Sequence, residues 1–158
     1  MSSYSSADWK DKVFACLVYL IPLYYVLEFG VFLFNQFPVL RVITIPLIPL
    51  AILYNTIPFA RFIIFIALFA GVIRNTNISH FIRYNAMQAI LIDILLILVN
   101  LITGILLGGL GQLFTETLYN AIFLLTIIAC GYSIFESATG KYADLPGISE
   151  AVKGQVPY

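Results

Sequence analysis

In HFIRYNAMQAILIDILLILVN, residues 80–100, the polar side chains Asn85, Gln88, Asp93 and Asn100 stand in a largely apolar run. Set on a helix at about 100° per residue, they and Thr103 fall within an arc of roughly 140°, while Ile90, Ile94, Ile97, Leu98 and Leu101 fill the opposite side. An unpaired polar group in hydrocarbon costs several kcal/mol, so the stripe must face protein or water. It reads either as the lining of a polar passage or seat of a partner subunit, or as glue between helices. As glue, each hydrogen bond contributes about 0.6 kcal/mol.

Asp93 is the costliest member, at about 2.5 to 3.5 kcal/mol near a helix centre on insertion scales. It needs a partner or a proton, and two more charges lie in apolar surroundings, Glu28 and Arg61. Counting about 1.5 Å per residue inward, Asp93 lies roughly 12 to 15 Å deep, Arg61 about 20 Å and Glu28 about 22 Å. The depths lean slightly to an Arg61–Glu28 ion pair, with Asp93 bonded to other polar groups or protonated. A flexible Arg61 also reaches Asp93. Arg74, Arg83 and His80 read as anchors at the membrane surface.

No catalytic constellation accompanies these residues. The chain has one histidine and no H-E-x-x-H or G-x-S-x-G motif, so no enzyme, cofactor or metal site is expected. Cys16 and Cys130 lack metal-type spacing and read as small apolar filler or as a redox or metal pair. Eight basic and eight acidic residues balance to zero, which excludes an electrostatic footprint for nucleic acid.

The stripe is positioned by a chain built for a bilayer. Of 158 residues, 61% are hydrophobic and 10% charged, against roughly 45 to 50% apolar in soluble domains. A span needs about 20 apolar residues, and residues 13–34, 87–107 and 118–134 qualify. Between them, prolines 46, 49 and 58 puncture the apolar region. Proline removes a backbone donor, so the second span is placed at 58–73 and residues 35–57 are expected to be interfacial or re-entrant. A five-span division fails on length, because the twelve residues after Arg61 give only about 18 Å of helix. The expectation is an all-α, polytopic, single membrane domain over 1–158 with four transmembrane helices and tails at 1–12 and 135–158. Its amino-terminal apolar run is too long for a signal peptide and is expected to be retained.

Lys10, Lys12, Arg74, Arg83, Lys141 and Lys153 then share one side, and only Arg41 and Arg61 oppose them, six against two. The positive-inside rule puts both termini on the cytoplasmic side, or the stroma or matrix of an organelle. Gly104 and Gly108, at G-x-x-x-G spacing, read as a close-approach site for another helix or as a flexible helix end.

Three segments together resemble a known family. VIRNTNISHFIRYNAMQAILIDI, with M-Q-A and an Asp five residues after Gln, is similar to the twenty-kilodalton membrane subunit of the Tic-type protein import translocon of the chloroplast inner envelope, and to its cyanobacterial and plastid-encoded relatives. The head WKDKVFACLVYLIPL and the tail YSIFESATGKYADLPGISEAVKGQV resemble the same family in the same order. The absence of a long transit extension points to the cyanobacterial or plastid-encoded branch. The resemblance implies a membrane subunit of a protein translocation complex, in the inner envelope or in a cyanobacterial plasma or thylakoid membrane, contributing to a protein-conducting channel. Its partners would be other translocon subunits, precursor polypeptides and the lipid bilayer, in a homo- or hetero-oligomer. A small-solute or ion carrier, and a membrane scaffold or assembly factor, are the alternatives that the residues leave open.

Overall fold

The computed structural model describes residues 7–157, and these are helical throughout apart from turns and short connections. Among them, four helices are long and apolar enough to cross a membrane: α1 (Trp9–Gln36), α2 (Pro38–Thr56), α4 (His80–Gly109) and α5 (Gln112–Ala138). A shorter apolar helix, α3 (Ala60–Ile73), lies between α2 and α4, and α6 (Ile148–Gln155) folds back in the tail.

Local chemistry sets the helix starts. Asp8 caps α1 by accepting from the Trp9 amide at 2.7 Å, and Ser79 caps α4 by accepting from Ile82 at 3.3 Å. Residues 38–56, inside the stretch expected to be interfacial or re-entrant, form a helix as long as a span, whereas α3, at the position expected for the second span, is the shorter piece. Pro38 opens a 3₁₀ stretch, Pro38–Leu47, and Pro49 sits in the first turn of the α-helical stretch Ile48–Thr56. Proline is tolerated in a first turn, where its missing N–H would have no partner. Pro46 falls inside the 3₁₀ stretch. Pro58 does interrupt the chain, and Phe59 behind it takes a left-handed backbone, φ 58°.

The two pieces pack beside α1 and α4 in turn. The α2 helix runs back along the second half of α1, where Leu27, Val31 and Phe34 share a cleft with Arg41 and Thr44, until Tyr54 meets Tyr24 edge to face at 5.0 Å. The α3 helix continues along the first half of α4, from Arg61 beside Asp93 to the Ile73 carbonyl, which accepts from Arg83 Nε at 2.9 Å. Tyr24 and Asp93 lie near the midpoints of α1 and α4, so the break at 57–59 lies beside the middle of both helices.

Helix α1 is the central element, packed against both α4 and α5. Gly30 permits the closest approach: a Cβ there would stand 2.7 Å from the Phe123 ring of α5. The start of α1 and the tail meet at one end of the bundle. There Trp9, Lys12, Val13, Cys16, Leu17 and Ala138 line a common cleft, and His80 at the start of α4 bonds the Val156 carbonyl at 2.9 Å. At this end the first half of α4 is enclosed on all sides, with an unbroken buried run from Tyr84 to Ile90. Ile90, placed on the lipid side by its helical angle, is only 3% exposed. Farther along the helix Ile97, Leu98 and Leu101 do face outward.

Candidate functional site

The polar stripe divides into two sites. At the tail end, Asn85 and Gln88 are wholly buried at 0% exposure, and they tie α4 to three other parts of the chain. Asn85 Oδ1 accepts from the Tyr19 hydroxyl on α1 at 2.7 Å and from Ser137 on α5 at 2.9 Å. Its Nδ2 donates to the Phe81 carbonyl at 2.9 Å. Gln88 Nε2 donates to the Tyr19 hydroxyl at 3.2 Å, and its Oε1 accepts from Ser149 in the tail at 2.6 Å.

Ser149 in turn accepts from the Leu145 amide at 2.7 Å, and the Tyr84 hydroxyl donates to the Ala143 carbonyl at 2.9 Å. The network therefore pins residues 143–149 into the bundle. Ser149, Val152 and Val156 are almost fully buried, so the segment read as a tail is part of the core. Small Ala86 and Ala89 flank the two amides and let neighbouring backbones come close. A fully satisfied network of this kind rigidifies and specifies one packing.

Beside the break between α2 and α3 the arrangement is different. Arg61 Nη2 lies 3.9 Å from Asp93 Oδ1, and the two side chains are 39% and 10% exposed. This corrects the lean toward an Arg61–Glu28 pair. Glu28 instead accepts from Asn100 Nδ2 at 3.3 Å, and Asn100 also donates to the Tyr25 hydroxyl at 3.0 Å. The Arg61 guanidinium stacks over the Tyr25 ring at 4.2 Å, a cation–π contact that holds it beside α1.

At 3.9 Å the ion pair neutralises charge without forming a hydrogen bond. Arg61 Nε and Nη2, Asp93 Oδ1 and the Tyr54 hydroxyl have no hydrogen-bond partner among the described residues. The pair borders an apolar cleft of about 470 Å³, walled by Phe59, Phe62, Phe65, Ile94, Ile97 and Leu98. Such a cleft offers a neutral but polar back wall to an apolar body entering from the side.

Arg83 is committed to the end of α3 through Ile73, where a cation suits the helix dipole. Arg74 is exposed and stacks against Phe69 at 5.4 Å. The polar arc at 80–100 did not single out Tyr19, Ser137, Ser149 or Ser133, the last of which accepts from Gln88 Nε2 at 3.5 Å. A signal was present for two of them, since Ser133 and Ser137 stand four apart on an apolar helix and so share a face.

The whole length of this architecture has relatives. Residues 2–152 match the family described as chloroplast import apparatus, Tic20-like. The chain belongs to the Tic20-like family. It is 53% identical over 161 residues to a Tic20 family protein of Synechocystis, with all of both chains covered. It is 33% identical to the chloroplastic protein TIC 20-II of Arabidopsis thaliana, with 98% of this chain and 76% of that one aligned. The Tic20 family protein Ycf60 of Gracilaria tenuistipitata is 34% identical, covering 92% and 75%. The protein is thus a membrane protein of the import-translocon family, which is not a family of enzymes. Both polar sites lie inside the matched Tic20-like region, and so do the helices that carry them.

Proposed function

We propose that the protein is a noncatalytic membrane subunit of a protein-translocating assembly and contributes helices to a path for precursor polypeptides. The observation that carries this reading is the match of residues 2–152 to an import-apparatus family. The packing adds a condition on how such a path is built. The tail end of the bundle is filled by the side chains of Asn85, Gln88, Ser133 and Ser137, all at 0% exposure. Helices packed about 8 to 10 Å apart leave no room between them for an extended chain. The path therefore runs between subunits.

Purification from native membranes in mild detergent, with a precursor arrested in transit, tests this. Other translocation subunits and the precursor should copurify and crosslink to the protein. Recovery without either would overturn the proposal. The cleft beside the ion pair favours a second reading, a carrier for a small solute that uses Arg61 and Asp93, and solute uptake in vesicles holding the purified protein alone would support it.

Orientation belongs to the same proposal. Lys12, Arg74, Arg83 and Lys141 gather at the end where the start of α1 meets the tail, whereas Arg41 lies on α2 beyond the break. Tags at both termini should be reachable only from the cytoplasmic or stromal side. Labelling from opposite sides would refute α2 and α3 as a single broken pass.

A further inference from the structure

The side chains beside the break between α2 and α3 carry more hydrogen-bonding capacity than the protein uses. Arg61 Nε and Nη2, Asp93 Oδ1 and the Tyr54 hydroxyl are buried and unbonded among the described residues. Asp93 is 7% exposed, and a carboxylate so enclosed normally accepts hydrogen bonds. The equally buried amides at the tail end show the contrast, since Asn85 and Gln88 are each bonded through both oxygen and nitrogen.

The unbonded pair stands in the wall of a groove. Phe59, Phe62 and Phe65, at three-residue spacing along the start of α3, face Ile94 and Ile97 on α4, with Arg61 and Asp93 between them. Phe65 and Ile94 are half-buried, while Phe59 and Phe62 are 83% and 64% exposed, so the groove opens outward. A cleft of this size with mostly apolar walls and a few convergent polar groups has the usual form of a small-molecule site.

We propose that this groove binds an uncharged amphiphile with a long apolar body and a hydroxyl or carboxamide head. Arg61 only donates and ionised Asp93 only accepts, so a head that suits both must accept and donate at once. A hydroxyl or a carboxamide does so, and it bridges two partners that stand too far apart, at 3.9 Å, to bond each other. The Arg61 side chain, 39% exposed, is the edge of the pair that such a head meets first. A charged head fits worse, because the pair is already neutral and an added charge would go uncompensated among aromatic rings. The rings and aliphatic walls hold the body, and the pair selects the head. The assignment rests on neither reading of what the protein transports.

The test uses the full chain in phosphatidylcholine vesicles and two photoprobes that differ only in the head. One is a long-chain primary alcohol with a diazirine in its chain, and the other is its methyl ether, which accepts but cannot donate. Adducts on residues 59–65 and 94–98, normalised to labelling at Leu125, 67% exposed on α5, should be about 3- to 10-fold more abundant with the alcohol than with the ether. Arg61→Leu combined with Asp93→Leu keeps the groove apolar and removes the partners of the head, so it should bring the alcohol down to the level of the ether. Equal labelling by the two probes, groove labelling no higher than at Leu125, or a double variant that still prefers the alcohol would overturn the proposal. The comparison of probes uses the unaltered chain, so it stands even where the double variant fails to fold.

Discussion

Asn85→Leu is expected to be among the most destabilising single changes in the protein, and more so than Gln88→Leu. Asn85 Oδ1 accepts from two buried hydroxyls, Tyr19 and Ser137, and leucine orphans both. At about 1 to 3 kcal/mol for each buried donor left unmet, the loss is about 2 to 6 kcal/mol. Removing Gln88 leaves its neighbours better provided. Ser149 turns to the Ala143 carbonyl at 3.2 Å, and Tyr19 still donates to Asn85, so about 1 to 2 kcal/mol is expected.

The two variants should differ in kind as well as in size. Gln88→Leu removes the amide that holds Ser149, so proteolysis should reach residues 143–157 while α1, α4 and α5 stay assembled. Asn85→Leu removes the junction of α1, α4 and α5 and should lower the midpoint of thermal unfolding in detergent. A smaller loss for Asn85→Leu than for Gln88→Leu would show that the network is not centred on Asn85.

The legible and illegible parts of the molecule separate on physical grounds. Residues 13–34, 87–107 and 118–134 fall inside α1, α4 and α5 because an uninterrupted apolar run of span length has few alternatives to a helix. The helix at 38–56 was not legible, since a proline breaks a helix or starts one depending on where the first turn falls. That position is set here by the packing of α2 along α1. The helical angle correctly separated Asn85, Gln88, Asp93 and Asn100 from Leu98 and Leu101, yet it says nothing of how many neighbours surround a helix. Ile90 shows the consequence, because α4 is enclosed on all sides at its depth.

Counting residues for depth treats every helix as straight and starting at one level. Arg61 therefore leaned toward Glu28, although α3 enters beside Asp93. The locking role of the tail was hidden for another reason: it rests on single contacts from Ala143, Leu145 and Ser149, which have no periodicity to read.

The Arg61–Asp93 pair decides between glue and a working site. Asp93→Leu should leave the guanidinium with the Tyr25 and Tyr54 rings as its remaining company. Breaking a fully buried pair costs about 3 to 5 kcal/mol, but Arg61 is 39% exposed, so about 1 to 3 kcal/mol is the reasonable expectation after screening. Arg61→Leu combined with Asp93→Leu should recover much of that loss, because removing both charges also removes their desolvation. A coupling of zero between the two sites in this cycle would show that the 3.9 Å contact contributes nothing to stability. Asp93→Asn then separates stability from transport, since it keeps the size and the acceptor and removes the charge. Normal assembly with transport lost would assign the ionised carboxylate a direct role, whereas normal assembly with transport retained would leave Asp93 as glue. Photocrosslinkers supply the spatial control: a probe at Phe62, on the wall of the cleft, should capture an arriving precursor, and a probe at Leu101, 62% exposed on α4, should meet lipid. Equal capture at both would mean that the cleft is ordinary lipid-facing surface and that its charge pair serves the fold alone.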